Sequence, residues 1–161
     1  MLGALVPSMR FSGAEVKDVE GGVHVKSVLE RPRPMSVTTE PYPGFATDLQ
    51  APFMGYMCLA DGVSHVRETI FENRFMHVQE LARLGAQIEL DGDTAIITGV
   101  PALHGAPVMA TDLRASVTLV IAGLVGDGVT TIRRVYHLDR GYERLEEKLS
   151  GCGARIWRET E

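Results

Sequence analysis

Five charged side chains fall at corners where the sequence predicts helices to begin: Asp48, Asp112, Arg74, Arg114 and Arg140. A carboxylate there can accept a proton from a hydroxyl, and guanidinium groups bind phosphates and carboxylates through paired hydrogen bonds. The acids have a structural alternative, because an aspartate at a helix start caps free N–H groups. The arginines oppose the helix dipole, so each either pairs with an acid such as Glu72, Asp112 or Asp139, or binds an external anion. If the corners face one way, they form a phosphate or carboxylate site.

The first acidic corner also carries a capping pattern. Thr47 and Gln50 have the Thr-x-x-Gln spacing in which each side chain bonds the backbone N–H of the other residue. Pro52 lacks an N–H and is tolerated only near a helix start, which predicts that the helix begins between Leu49 and Pro52. Asp48 then lies in an irregular corner, where side chains that face ligands are common.

The other reactive side chains lack the spacing that catalysis or metal binding needs. Cys58 lies in an apolar stretch, which predicts an inert thiol in the core. Cys58 and Cys152 form no C-x-x-C pair, and the histidines show no H-x-H or H-E-x-x-H pattern, so we predict no metal site. The sequence contains neither of the common glycine-rich phosphate loops. We therefore expect a site without a metal or a cofactor.

Length and composition fit one globular domain, residues 1–161, of which 45% are hydrophobic and 23% charged. The net charge of −5 disfavours nucleic acid as a partner. The longest apolar stretch, residues 115–126, is shorter than the roughly 20 residues that a membrane helix needs, so we expect no membrane segment. Two widely spaced cysteines favour a reducing, cytoplasmic location.

An internal repeat organises the chain. Residues 46–51 (ATDLQA) return sixty-four positions later as residues 110–115 (ATDLRA). Further matches follow in order, with a spacing that grows slowly to sixty-eight: 62–63 with 128–129, Arg74 with Arg140, and 85–88 (GAQI) with 153–156 (GARI). A third copy of the last element occurs at residues 13–16 (GAEV). The repeat predicts two nearly complete units preceded by the tail of another, about two and a half units in all.

Each unit alternates helix and strand. Apolar runs predict helices at 53–60 and 117–125, alternating or β-branched segments predict strands at 64–70 and 129–135, and helical spacing predicts helices at 75–84 and 142–149. Hairpins are predicted at 15–17 with 23–28 and at 87–90 with 95–98, and a further strand precedes each ATDL motif. The unit is therefore βαβαββ, and the fold class is α/β.

Four segments resemble one enzyme family in the order in which that family carries them: 43–50 (PGFATDLQ), 68–77 (ETIFENRFMH), 110–116 (ATDLRAS) and 137–144 (HLDRGYER). They resemble the C-terminal part of the UDP-N-acetylglucosamine enolpyruvyl transferases (1-carboxyvinyltransferases). The resemblance implies repeated βαβαββ units in an inside-out α/β barrel, truncated at the N-terminus in this chain.

The resemblance also implies a reaction and roles for six residues. The family transfers the enolpyruvyl group of phosphoenolpyruvate to the 3-hydroxyl of UDP-N-acetylglucosamine, in peptidoglycan biosynthesis. By resemblance, Asp48 is the base at the sugar hydroxyl, Ile70 contacts the UDP-sugar and Arg140 binds phosphoenolpyruvate. Asp112, Arg114 and Arg74 would assist closure and stabilise charge around that substrate.

The match is incomplete, which leaves alternatives open. The family's mobile cysteine loop, its N-terminal lysine and further arginines have no counterpart here, so we expect a half-site that is inactive alone and a chain prone to self-association. One alternative is a non-catalytic module that binds sugar nucleotides or mediates interactions. Another is enolpyruvyl-shikimate-phosphate synthase, although residues 72–77 (ENRFMH) and 139–144 (DRGYER) favour the UDP-sugar enzyme.

Overall fold

The computed structural model describes residues 2–159 and begins with a helix and a hairpin. Helix α1 (Leu2–Phe11) leads into β1 (Ala14–Val19) and β2 (Gly22–Ser27), which pair antiparallel. Gly13 lies between helix and hairpin with φ of 101°, a left-handed conformation that suits glycine. This αββ segment is the predicted tail of a unit.

The middle of the chain forms a complete βαβαββ unit. Its elements are β3 (Ser36–Thr38), α2 (Gln50–Met57), β4 (Val63–Arg67), α3 (Val78–Arg83), β5 (Gln87–Asp91) and β6 (Thr94–Thr98). The strands form one sheet in the order β3-β4-β6-β5, in which β3 and β4 are parallel and the other pairs antiparallel. Val66 in β4 registers with Val37 on one side and Ala95 on the other, so the sheet turns an apolar face inward.

The last part of the chain repeats this order without a final hairpin among the described residues. Its elements are β7 (Pro107–Met109), α4 (Leu113–Val125), β8 (Thr131–Arg133), α5 (Tyr136–Asp139) and α6 (Leu145–Gly151). Strands β7 and β8 are parallel, as β3 and β4 are in the preceding unit. The predicted α/β class is confirmed.

Helices α2 and α4 form the centre of the molecule and pack against each other. Gly55 permits the close approach, since a Cβ there would lie 3.1 Å from Thr118 Cγ2. Apolar residues surround both helices, as expected for helices buried on nearly every side. The large buried side chains include Phe53, Met54, Met57, Leu81, Leu84, Ile97, Leu103 and Leu119. Helices inside and sheets outside give the predicted inside-out arrangement.

Several predicted element boundaries are wrong by a few residues. The helix predicted at 75–84 begins at Val78, and the helix predicted at 142–149 begins at Leu145. Asn73 and Arg144 have positive φ, 56° and 48°, so the chain loops before each helix can start. The strand predicted at 129–135 is shorter for a similar reason, because Arg134 has φ of 58°. Between residues 2 and 159, no helix has both the length and the apolar character to cross a membrane.

Candidate functional site

The six predicted site residues lie in two equivalent corners that face each other, and these corners carry the candidate site. We define the first corner as residues 46–50 with the loop 68–77 that follows β4. The second corner is residues 110–116 with the segment 134–144 that follows β8. Each corner joins the end of a parallel strand to the start of one of the two packed central helices. The packing of α2 on α4 therefore brings the corners together.

Asp48 and Arg114 form an ion pair across the two units. Arg114 Nε donates to Asp48 Oδ1 at 2.6 Å, and Nη2 lies 2.5 Å from the same oxygen. Asp48 lies in a 3-10 turn, Thr47–Leu49, and caps no helix. Its side chain is 57% exposed and remains accessible to a ligand. The structure thus joins two predicted site residues that are sixty-six positions apart.

Asp112 has the structural role that the sequence left open for it. It is the N-cap of α4, and its Oδ1 accepts hydrogen bonds from the backbone N–H of Arg114 at 2.8 Å and of Ala115 at 3.0 Å. These bonds fix the first turn of α4. Arg114 consequently directs its side chain to Asp48 rather than to the nearby Asp112.

Arg74 is bound by Thr47, the residue that precedes Asp48 in the first corner. Its Nη1 donates to Thr47 Oγ1, and its guanidinium carbon lies 4.1 Å from the centroid of the Phe71 ring. The ring supports the cation through its π face. The predicted capping box is wrong, because Thr47 donates to Glu68 Oε2 at 2.8 Å and makes no cap bond to Gln50. Arg74 also precedes α3 by four residues and lies in a loop, not at a helix start.

Glu68 is a buried acid that sequence reasoning did not include in the site. It is 4% exposed and accepts hydrogen bonds at Oε1 from Thr39 Oγ1 and the N–H groups of Ile70 and Phe71, and at Oε2 from Thr47. Burial alone would raise the pKa of Glu68, but these hydrogen bonds outweigh it and lower the pKa below the ordinary 4.5. Glu68 therefore stays ionised at neutral pH.

The inward position of Glu68 follows from the alternation of β4 in the structure, not from its residue types, because Val63 and Val66 lie on opposite faces. Ser64 and Val66 are buried while Val63, His65 and Arg67 are exposed. Side chains alternate across a strand, so the next inward position belongs to Glu68.

Ile70 lines a cavity of about 750 Å³ formed by the loop 67–76 and the turn between β5 and β6. Phe71, Phe75, Met76 and Leu90 give the cavity apolar walls, beside polar groups of the same loop. Asp48, Arg74 and the second corner lie outside its lining. The cavity can hold an organic group.

Arg140 is a predicted site residue whose side chain makes no hydrogen bond or ion pair in the described part of the chain. It follows α5, is exposed, and forms no ion pair among residues 3–159. Its neighbour Asp139 is bound by Arg158 at 2.7 and 2.9 Å, so the pairing of Arg140 with Asp139 is wrong. A Cβ at Gly141 would lie 2.9 Å from Leu113, which places this turn against the start of α4. The guanidinium is thus available to an anion.

Two buried titratable groups stay neutral. Burial raises the pKa of the Cys58 thiol to about 12, in agreement with the predicted inert core cysteine. Burial also lowers the pKa of His77 to about 4, although the nearby Asp112 carboxylate favours its protonation. Its Nε2 lies 3.3 Å from Met54 Sδ. Neither group is placed to exchange protons with a ligand.

The sequence model of EPSP synthase (3-phosphoshikimate 1-carboxyvinyltransferase) matches residues 4–149. The chain belongs to the EPSP synthase family. Within the family, the curated relatives it matches carry a different substrate in their names. UDP-N-acetylglucosamine 1-carboxyvinyltransferase of Allorhizobium ampelinum is 63% identical over 158 residues, which are 98% of this chain and 37% of that protein. The protein of the same name from Anaeromyxobacter sp. is 63% identical over 156 residues, 97% of this chain and 37% of the relative.

Solved structures of enolpyruvyl transferases share the fold. The enolpyruvyl transferase NikO from Streptomyces tendae superposes with a TM-score of 0.88 at 31% identity, covering 97% of this chain and 36% of that chain. EPSP synthase from Acinetobacter baumannii gives a TM-score of 0.60 at 18% identity, over 79% of this chain and 31% of its own, and supports the fold alone. The predicted resemblance and the enolpyruvyl transferase-like fold are confirmed. The chain spans about 37% of the length of the curated relatives.

Proposed function

We propose that this chain supplies part of an active site that transfers the enolpyruvyl group of phosphoenolpyruvate to the 3-hydroxyl of UDP-N-acetylglucosamine, a step of peptidoglycan biosynthesis. The Asp48–Arg114 pair carries the proposal, because it places an accessible carboxylate and a cation from two repeat units at one point. The 63% identity to relatives named for this activity supports the UDP-sugar over shikimate phosphate as acceptor.

Addition followed by elimination accounts for the groups in the corners. The sugar hydroxyl oxygen bonds to C2 of phosphoenolpyruvate and loses its proton, while C3 gains a proton. Then C3 loses a proton, the C2–C3 double bond forms again, and phosphate leaves C2. A base is needed at the hydroxyl and cations are needed around phosphate and carboxylate.

Asp48 fits the base because Arg114 binds only one of its oxygens. Both contacts of the guanidinium go to Oδ1, so Oδ2 is left to accept the hydroxyl proton. The same arginine orients the carboxylate.

The remaining roles follow from position. Arg140 would bind phosphoenolpyruvate, since its guanidinium makes no ion pair among the described residues and lies on the turn that packs against the start of α4. Arg74 and Arg114 would neutralise developing charge, and Asp112 would keep Arg114 in place. Ile70 would contact the UDP-sugar from the wall of the cavity.

Calorimetric titration of UDP-N-acetylglucosamine into the chain tests the proposal. We expect measurable binding that weakens at least about tenfold in Asp48→Ala, because a hydrogen bond to an ionised group is lost. Asp61→Ala is the matched control, since Asp61 is also an exposed aspartate paired with an arginine, Arg31, at 3.1 Å. Equal binding by wild type and Asp48→Ala would contradict the assignment of the base.

A phosphate-release assay with both substrates separates a half-site from a complete one. We propose that the chain binds the sugar nucleotide but releases no phosphate alone, because the family's other charged groups lie in parts of the relatives that this chain does not match. Release that depends on Asp48 would show a complete site. Binding that is insensitive to Asp48, without release, would favour the non-catalytic binding module.

We also infer a reducing, cytoplasmic setting and self-association. Both cysteines are free thiols, one buried and one exposed. The β1–β2 hairpin exposes Val19, Val23 and Val25, an apolar surface that favours association. Light scattering that gives the monomer mass across concentrations would contradict self-association.

A further inference from the structure

Glu68 connects parts of the candidate site that do not touch each other directly. Its Oε2 accepts from Thr47, the residue that precedes Asp48. Its Oε1 accepts from the N–H groups of Ile70 at 2.8 Å and Phe71 at 3.1 Å. One buried carboxylate thus holds both the turn with Asp48 and the loop with Ile70.

The direction of the Thr47 hydrogen bond matters for Arg74. A hydroxyl has one proton, and Thr47 donates it to Glu68 at 2.8 Å. The lone pairs of Thr47 Oγ1 are then free to accept from Arg74 Nη1, as observed. Glu68 therefore holds the Thr47 proton away from the arginine.

The same carboxylate also supports the other contact of Arg74. Because Oε1 fixes the N–H of Phe71, it fixes the segment from which the Phe71 ring supports the guanidinium, 4.1 Å away. Thr39 Oγ1 donates to this oxygen at 2.8 Å and accepts from the N–H of Thr69 at 2.9 Å, which closes the network against β3. Every polar atom of Glu68 is therefore committed to positioning.

We propose that Glu68 is a positioning residue for sugar-nucleotide binding: through Thr47 it orients Arg74 beside Asp48, and through the backbone of Ile70 and Phe71 it shapes the adjoining cavity. The proposal rests on the function proposed above for the same site. Glu68 is buried and both of its carboxylate oxygens are bonded to these neighbours, so it acts through them.

Glu68→Gln tests the proposal without changing the shape of the side chain. Three donors converge on Oε1, so the amide oxygen of glutamine takes that place and its NH₂ group faces Thr47. Thr47 must then accept from glutamine, and its own proton loses the ionised acceptor that held it away from Arg74. The hydroxyl is no longer held in one orientation by a charge-assisted hydrogen bond, and we expect the affinity for UDP-N-acetylglucosamine to fall about tenfold.

A double-mutant cycle distinguishes positioning through Thr47 from a general structural effect. Thr47→Val keeps the shape and removes the hydroxyl, so Glu68→Gln in that background should change affinity by less than about twofold. Independent losses that multiply in the double variant would overturn the proposal. Glu80→Gln is the matched control, because Glu80 is another shielded glutamate that accepts a backbone N–H, from Met109 at 2.8 Å, outside both corners.

A second measurement on the unliganded chain keeps the two proposals separable. The guanidinium NMR signals of Arg74 should move in Glu68→Gln toward their positions in Thr47→Val, and stay unchanged in Glu80→Gln. Unchanged Arg74 signals in Glu68→Gln would overturn the positioning role, whatever the affinities. Signals that move as expected in a wild-type chain that binds no UDP-N-acetylglucosamine would support the positioning of Arg74 and contradict the proposed function.

Discussion

The first and second corners share a backbone frame and differ in the residue that follows the second parallel strand. Arg67 registers with Thr38 at the end of β4, and Arg133 registers with Met109 at the end of β8. The N–H of the next residue in the neighbouring strand bonds the arginine carbonyl in both, at 2.9 Å and 3.0 Å. The two corners differ at the next residue. Glu68 turns inward with an ordinary backbone conformation. Its counterpart, Arg134, has a left-handed backbone with φ of 58° and turns outward.

That difference changes the surroundings of the two equivalent threonines. Thr47 has an acceptor in Glu68 and a donor in Arg74. Arg134 instead donates to Tyr136 Oη at 2.7 Å on the surface. Thr111 Oγ1 is left buried without a hydrogen-bond partner within the described part of the chain. The repeat therefore conserves the frame, while the buried polar network is confined to the first corner, beside Asp48.

The largest expected effect comes from truncating the residue that distinguishes the corners. Glu68→Ala should lower the free energy of unfolding by about 3 kcal/mol, because it strands two hydroxyls and two N–H groups in a buried place. Arg134→Ala removes an exposed side chain and should cost less than about 0.5 kcal/mol. Urea unfolding monitored at Trp157 measures both. Similar losses of unfolding free energy in the two variants would contradict the difference between the two corners.

Acid should weaken the first corner in a defined window through His77. Its folded pKa, lowered to about 4 by burial, lies below the ordinary 6.5, so the unfolded chain takes up the proton first. The resulting stability is fully present above pH 6.5 and is lost as pH falls from 6.5 toward 4, by roughly 2–3 kcal/mol. The lowered pKa of Glu68 adds a further loss below 4.5.

Unfolding free energies measured across this pH range test the assignment. His77→Leu should flatten the decline between pH 6.5 and 4. His65→Leu, at an exposed position on β4, should leave the decline unchanged. A decline that persists in His77→Leu would place its origin in another group.

Much of this frame could be predicted from the repeat. Matching ATDL and glycine-alanine segments indicated the units, and apolar spacing indicated most helices and strands. The boundaries failed where Asn73, Arg134 and Arg144 adopt positive φ. None of the three is a glycine, so no local pattern predicts a left-handed conformation there. The conformation is set by the packing of the surrounding loops.

Substituting the two equivalent aspartates should have smaller effects, mainly on stability for Asp112 and mainly on affinity for Asp48. Asp112→Ala removes the N-cap of α4 and should cost about 1 kcal/mol of stability. Asp48→Ala removes a partly exposed ion pair and should cost less than about 0.5 kcal/mol, while it abolishes most of the sugar-nucleotide affinity. Thermal unfolding and calorimetry on the same samples compare them. A larger stability loss in the Asp48 variant than in the Asp112 variant would contradict the structural role of Asp112 and the binding role of Asp48.

The site was only partly predictable for the same reason. Residue type and position indicated Asp48 and Arg114, but their contact depends on how α2 packs against α4. Glu68 could not be found from residue types, because β4 has a valine on each face and only the structure shows which face is buried. The capping box failed because Thr47 binds a stronger partner, the ionised carboxylate of Glu68, which lies twenty-one positions along the chain and directly follows β4.

The smallest effect concerns the threonines themselves and should differ in sign. Thr111→Val replaces an unpaired buried hydroxyl with a methyl group of the same size, so it should raise the free energy of unfolding by about 0.5 kcal/mol. Thr47→Val removes a hydroxyl that is both donor and acceptor and should lower it by about 1 kcal/mol. Urea midpoints at constant slope resolve the difference. Destabilisation by both substitutions would mean that Thr111 has a partner in solution and that the second corner holds a polar network of its own.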